Sequence, residues 1–244
     1  AGYDMWPGPY GEWGSKKYLT ASLDQSLKRL KIDYVDIFYS HRFDPNTPLE
    51  ETADALHRAV QQGKALYIGI SSYSSNQTIK INKLLKERGI KCLIHQPSYS
   101  MINRWIEKDL LKTLSKLNLG CIVFSPLAQG MLSEKYLNKI PANSRAKKNS
   151  SLDPKMITKN YKNKIINLKK IAKNRNQTIS QMALAWVLRH KQVTSALIGA
   201  RTLKQLDECL DSLNNLKFSK NELNSIDKYA KEENINLWAT SSKN

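Results

Sequence analysis

The stretch YVDIFYSHRFDPNTPLEETADALHRAVQQGKALYIGISS, residues 34–72, decides the fold. Its first part is mostly apolar through Tyr39 and then turns polar at Ser40, His41 and Arg42, as a buried strand does when it reaches an open rim. TPLEETADALHRAVQQGK reads as the next helix, with Thr47 as N-cap, Pro48 at the first helical position, Glu50 in capping-box register and Gly63 at the close. ALYIGISS is then a second apolar strand that ends in polar residues. A strand, a helix and a strand joined by short connections form one parallel crossover unit.

The same unit recurs on both sides. Upstream, Leu19, Leu23, Leu27 and Leu30 have helical spacing, which predicts an amphipathic helix over residues 16–32. Downstream, helix NQTIKINKLLKERG leads to strand CLIHQPSY, and helix IEKDLLKTLSKLN leads to strand GCIVFSP. After a longer irregular piece come two helices (NYKNKIINLKKIAKNR and TISQMALAWVLRH), strand TSALIGA, helix TLKQLDECLDSLNN and a last helix over residues 220–232. Strands apolar on both faces that alternate with helices predict a parallel sheet covered by helices.

A doubly wound sheet and a barrel both fit that pattern, and two features favour the barrel. No G-x-G-x-x-G follows the first strand, so the phosphate fingerprint of the doubly wound fold is absent. Five strands in turn finish in polar residues: His41, Ser71, Gln96, Ser125 and Arg201. In a (β/α)8 barrel all strand C-termini open on one face, which carries the active site.

Composition narrows the function classes. The 244 residues, 27.9 kDa, are 41% hydrophobic and 25% charged, as in an ordinary globular protein. Thirty-nine basic against 21 acidic residues give a net charge of +18 and a pI near 9.7. That excess is mostly lysine spread along the chain beside many asparagines and isoleucines, which suits compositional bias better than a nucleic-acid footprint. The three cysteines, Cys92, Cys121 and Cys209, are far apart and form no C-x-x-C pair, pointing to a reducing cytoplasm and to no metal site. No apolar run approaches a membrane span and no signal peptide opens the chain. Of the four histidines, His57 (mid-helix) and His190 (at a helix C-terminus) read as structural, and His95 shares its strand with Gln96 on the opposite face. His41 differs because it ends its strand.

The blocks YVDIFYSHR, NTPLEETADAL, GKALYIGISSYS, HQPSY, FSPLAQGMLSEKY and LIGARTLKQLDE, in this order, resemble the aldo-keto reductases over essentially the whole chain. The branch resembled is the bacterial L-glyceraldehyde 3-phosphate reductases, relatives of the potassium-channel β-subunits. The resemblance implies a (β/α)8 TIM barrel and NADPH-dependent reduction of a small aldehyde, such as L-glyceraldehyde 3-phosphate or methylglyoxal. It assigns catalysis to an Asp, a proton-donating Tyr, a Lys and a His. His41 matches that histidine. Ser71 and Gln96 match positions that hold the nicotinamide carboxamide, and Phe124 the aromatic that stacks on the ring. Ser125, Pro126, Leu127, Ala128 and Gln129 run along the pyrophosphate, and Lys135 and Arg145 match basic residues of the loop over the phosphates. Gly199, Arg201, Gln205 and Glu208 match contacts to adenosine and its 2′-phosphate. Arg201 stands where a serine is common, and Cys209 where an asparagine is common.

The family's Asp, Tyr and Lys match nothing in these residues; they would precede Ala1. The expectation is therefore one domain over residues 1–244 that represents a barrel without its first three β/α units, inactive and poorly soluble on its own, with a homo-oligomer compatible. A competing reading is a channel-β-like interaction subunit that binds nucleotide without turnover, against which the histidine of SHR argues. A third, nucleic-acid binding through residues 159–175, is disfavoured by the core spacing of its isoleucines and leucine.

Overall fold

In a computed structural model of the chain, residues 14–142, 144–147 and 152–230 are described here. The elements alternate as expected: α1 (Lys16–Leu30), β1 (Val35–Ser40), α2 (Leu49–Gln61), β2 (Ala65–Ser71), α3 (Ser75–Glu87), β3 (Cys92–Gln96), α4 (Leu110–Leu117), β4 (Gly120–Val123), α5 (Lys159–Asn174), α6 (Ile179–Val187), β5 (Ser195–Ala196), α7 (Leu203–Asp211) and α8 (Lys220–Asp227). The five strands follow one another in the sheet in sequence order, β1-β2-β3-β4-β5. Each of the first three pairs in parallel with the next. A doubly wound sheet reverses its strand order at the ligand-binding switch point. No reversal occurs here, which is the order of a barrel wall.

The described residues fall into two compact units, one of residues 14–97 with Ile106–Ile122 and one of Ser98–Trp105 with residues 123–230. In the first, α1 and α2 bury Leu19, Leu23, Ala55, Leu56 and Ala59 beside Phe38, while Ile68 and Ile70 of β2 and Ile81 and Leu85 of α3 are fully buried. The second is built around Trp186, Tyr136, Leu132, Leu168 and Met182. α3, α6 and α8 begin with complete capping boxes, Ser74 with Gln77, Thr178 with Gln181 and Ser219 with Glu222, which satisfies end donors that no helical carbonyl reaches.

Five expectations need correction. Thr47 does not cap α2, since Pro48 occupies that position without a side-chain cap. The Thr47 hydroxyl donates to Asp44 Oδ2 at 2.6 Å. Glu50 makes no capping box, although it and Glu51 still place negative charge in the first turn. Strand TSALIGA shrinks to Ser195–Ala196, followed by Leu197 N–H donating to Val123 O at 2.8 Å. The strands are also not covered on both faces along their whole length, for Leu66, Tyr67 and Leu93 are each at least two-fifths exposed. The last helix ends at Asp227, and Glu232 lies outside the described residues.

Candidate active site

Three strand tips of the first unit lie side by side. The β1–β2 ladder pairs Ser40 with Ile70, and the β2–β3 ladder pairs Ser71 with Gln96, so residue 41 and residues 71 and 96 end consecutive strands. His41 follows β1 directly and is half-buried. The loop after it is held by two groups that the sequence reading did not single out. Asp44, buried, accepts from Gly14 N–H (3.0 Å), Asn46 N–H (2.9 Å) and Thr47 Oγ1, and Thr52 Oγ1 in turn donates to Gly14 O at 2.8 Å. The Tyr73 hydroxyl shares a 2.8 Å hydrogen bond with Ser40 Oγ, immediately before His41. DPNT is a recognisable side-chain turn signal for Asp44; nothing in the sequence signals Tyr73.

Ser71 Oγ donates to Gln96 O at 2.7 Å, and the N–H of Ser72 reaches the same carbonyl at 3.3 Å. Ser72 takes the left-handed conformation, φ +57°, rare for a residue with a side chain. On the opposite face of β3, His95 is fully buried with its Nε2 at 3.1 Å from Tyr73 O, and burial pushes its pKa down to about 4. His95 is thus a neutral core residue, while Gln96 remains half-buried.

In the second unit Phe124 follows β4 and accepts Tyr99 N–H through its carbonyl at 3.2 Å. The next residues are strained. Ser125 (φ 54°), Ala128 (φ 45°), Gln129 (φ 60°) and Gly130 (φ 93°) are all left-handed, within a span that also holds Pro126 and Leu127. Non-glycine residues in this region cost about 1 kcal/mol or more each and cluster at ligand-binding turns. Within the turn, Ala128 N–H donates to Ser125 O at 2.8 Å and Gly130 N–H to Leu127 O at 2.9 Å.

Lys135, Arg145 and Arg201 come from three separate segments, all exposed. Partial burial, and then the charges of Arg201 and Arg145, hold the Lys135 ammonium below the ordinary lysine range. Like charges gathered this way are a cost that an anion would reverse. Arg201 also precedes the N-terminus of α7, where Thr202 Oγ1 accepts Gln205 N–H at 3.3 Å and Arg201 N–H donates to Gln205 Oε1 at 2.9 Å. Glu208 Oε1 accepts from the Thr178 hydroxyl at 2.8 Å. A Cβ built on Gly199 meets nothing within 4 Å, so the protein's own packing does not require glycine there.

Residues 4–231 match the model of the aldo/keto reductase family. The chain belongs to this family. It is 56% identical over 247 aligned residues to L-glyceraldehyde 3-phosphate reductase of Escherichia coli strain K12, an alignment that takes in 99% of this chain and 71% of the relative. The protein of the same name from Escherichia coli O157:H7 matches with the same identity and coverage. Aldo/keto reductases are oxidoreductases that act with NAD(P)H, and a left-handed turn, a cation trio and a helix N-terminus suit such a phosphate-bearing group. Among the described residues, no group of three or more His, Cys, Asp or Glu could hold a metal ion, and no helix is long and apolar enough to cross a membrane.

The cysteines of this reductase make a simple check on its packing. Burial pushes the Cys92 and Cys121 thiols up to about 12, and burial with the Glu208 charge raises Cys209, which is partly exposed. Because the thiolate is the reactive form, a disulfide reagent near pH 8 is expected to modify Cys209 first and the other two only on unfolding. Three thiols reacting at one rate in the folded protein would contradict this packing.

Proposed function

We propose that the protein is an NADPH-dependent reductase of small aldehydes, phosphorylated ones such as L-glyceraldehyde 3-phosphate included. The observation that carries the reading is the convergence of Lys135, Arg145 and Arg201, close enough for both arginines to hold the lysine below its ordinary range, with Arg201 immediately before the N-terminus of α7. Gly199, Arg201, Gln205 and Glu208 are assigned to adenosine and its 2′-phosphate. Lys135 and Arg145, with residues Ser125, Pro126, Leu127, Ala128 and Gln129, are assigned to the pyrophosphate. Phe124 stacks on the nicotinamide, while Ser71 and Gln96 hold its carboxamide, for which hydroxyl and amide supply both a donor and an acceptor.

When bound, the cofactor supplies a hydride to the carbonyl carbon of the aldehyde. His41 then serves as the hydrogen-bond donor that orients the carbonyl oxygen and stabilises the charge that builds there. On either side of His41, the Ser40 hydroxyl is tied to Tyr73 and Asp44 holds the Thr47 hydroxyl. Turnover depends also on a proton donor outside these assignments. Cofactor binding tests them directly. The free cysteines suit a reducing compartment, and we place the protein in the cytoplasm.

Titration with NADPH, followed by nucleotide fluorescence, is the deciding experiment. Arg201→Gln is expected to weaken NADPH about tenfold, the scale of one charge-assisted hydrogen bond, and to leave NADH unchanged. Wild-type chain that is folded and leaves the fluorescence unaltered would remove the cofactor assignment. Equal losses for the two nucleotides would remove Arg201 from the 2′-phosphate.

A further inference from the structure

Tyr39 occupies the C-terminal half of β1, and its partner in the β1–β2 ladder is Gly69. The phenol ring lies across that glycine. A Cβ built on Gly69 would stand 2.5 Å from Cε1, 2.7 Å from Cδ1 and 2.9 Å from Cζ of Tyr39, distances that real Cβ atoms do not show. Any side chain at position 69 would therefore lift the ring. Lying flat, the ring spans β2 and carries its hydroxyl toward β3, where it hydrogen-bonds the side chain of Gln96. Neighbouring strands are about 4.8 Å apart, so only a side chain as long as tyrosine, over a residue as small as glycine, can bridge from the first strand to the third.

Gln96 is restrained at both ends as a result. Its main-chain carbonyl accepts from Ser71 Oγ and Ser72 N–H, and its amide is engaged by Tyr39. A primary amide has one accepting and one donating end, nearly equal in shape. With one end held by the phenol, the other is committed to whatever lies beyond.

We propose that Tyr39 is a positioning residue for the nicotinamide: it holds the Gln96 amide where it meets the carboxamide, and Gly69 is the gap that lets it reach. The inference rests on the assignment of Gln96 to the carboxamide given above. Tyr39 touches neither the ring nor the reacting atoms in this scheme; it acts through Gln96. Ser71 fixes the strand, and Tyr39 fixes the amide.

The test compares two ligands. Adenosine 2′,5′-bisphosphate carries the adenosine half and its 2′-phosphate without the nicotinamide. In Tyr39→Phe, the dissociation constant for NADPH is expected to rise about fivefold, the equivalent of about 1 kcal/mol, while that for the bisphosphate stays at the wild-type value. A double-mutant cycle adds the second readout: on a Gln96→Ala background the Tyr39→Phe substitution should have no further effect on NADPH. Equal weakening of both ligands would assign Tyr39 a general structural role and overturn the inference. So would an unchanged NADPH constant, or losses that add in the double variant. A folded wild-type chain that binds the bisphosphate and not NADPH would instead remove the carboxamide assignment itself, and this inference with it.

Discussion

Lowering the pH from 7 to 4 is expected to remove about 3 kcal/mol of folding stability through His95 alone. The side chain is fully buried, its Nε2 faces the Tyr73 carbonyl at 3.1 Å, and its Nδ1 is buried without a hydrogen-bond partner among the described residues. Nε2 therefore carries the proton in the neutral form, and adding a second one at Nδ1 would create a charge and a donor that nothing accepts. Burial accordingly pushes the pKa down to about 4, against 6.5 in the unfolded chain. Below 6.5 the unfolded state binds the proton and the folded state does not. Stability is thus fully present above pH 6.5 and is lost as pH falls toward 4, and that gap, at about 1.4 kcal/mol per pH unit, gives about 3 kcal/mol. Urea midpoints measured between pH 4 and 8 will show the slope. His95→Gln places an amide N–H near the Nε2 position, so it keeps a donor for the Tyr73 carbonyl without titrating, and its curve should be flatter by the same amount. Parallel curves for the two proteins would show that His95 is not neutral in the fold.

Replacing Arg175 by methionine is expected to cost about 3–5 kcal/mol, the largest loss from any single ion pair in the described residues. Its side chain is only 2% exposed, unlike that of any other cation in an ion pair described here. Nε donates to Gln177 Oε1 (2.9 Å), one terminal nitrogen to Glu222 Oε1 (2.6 Å) and Lys217 O (3.0 Å), and the other to Asn215 O (3.0 Å). The guanidinium also lies 3.7 Å from the Phe218 ring centroid. At Glu222, burial would raise the carboxyl, but the Ser219 backbone and hydroxyl and the Arg175 guanidinium hold it below the ordinary glutamate range. Methionine fills the stem and removes the donor of the Lys217 carbonyl, the Gln177 amide oxygen and Glu222 Oε1. By contrast, Lys64 with Asp24 and Lys169 with Glu134 have the same short 2.7 Å geometry on side chains about a third to a half exposed, and removing either should cost less than about 1 kcal/mol. Thermal unfolding of the three variants decides the ranking. Arg175→Lys should recover little, since one ammonium cannot serve partners spread around a planar fork. A methionine variant as stable as the surface ones would show that the cluster contributes only its apolar contacts.

Much of the fold was legible because it is local. Leu19, Leu23 and Leu27 recur at helical spacing, and all three are buried along α1. Gly63 closes the α2 region at φ +67°, as a residue without a Cβ can. The polar tips of β1, β2 and β3 were visible as breaks in apolar runs, and the ladders set Ser71 beside Gln96. Less legible were side-chain partners set by loop geometry. Thr47 has the sequence of a cap and serves Asp44 instead, a choice that depends on how the loop folds back.

By itself the sequence determined the order of strands and helices, the parallel sense of the sheet and the residues that end β2 and β3, because periodicity and capping act over a few neighbours. The tertiary structure alone decided that Tyr39 crosses Gly69 to reach Gln96, that Arg175 is sealed among residues about 40 positions away, and that Lys135, Arg145 and Arg201 share one electrostatic neighbourhood. Each depends on separations in space that strand register and chain return set, and no spacing along the chain encodes a distance between segments that meet only after folding.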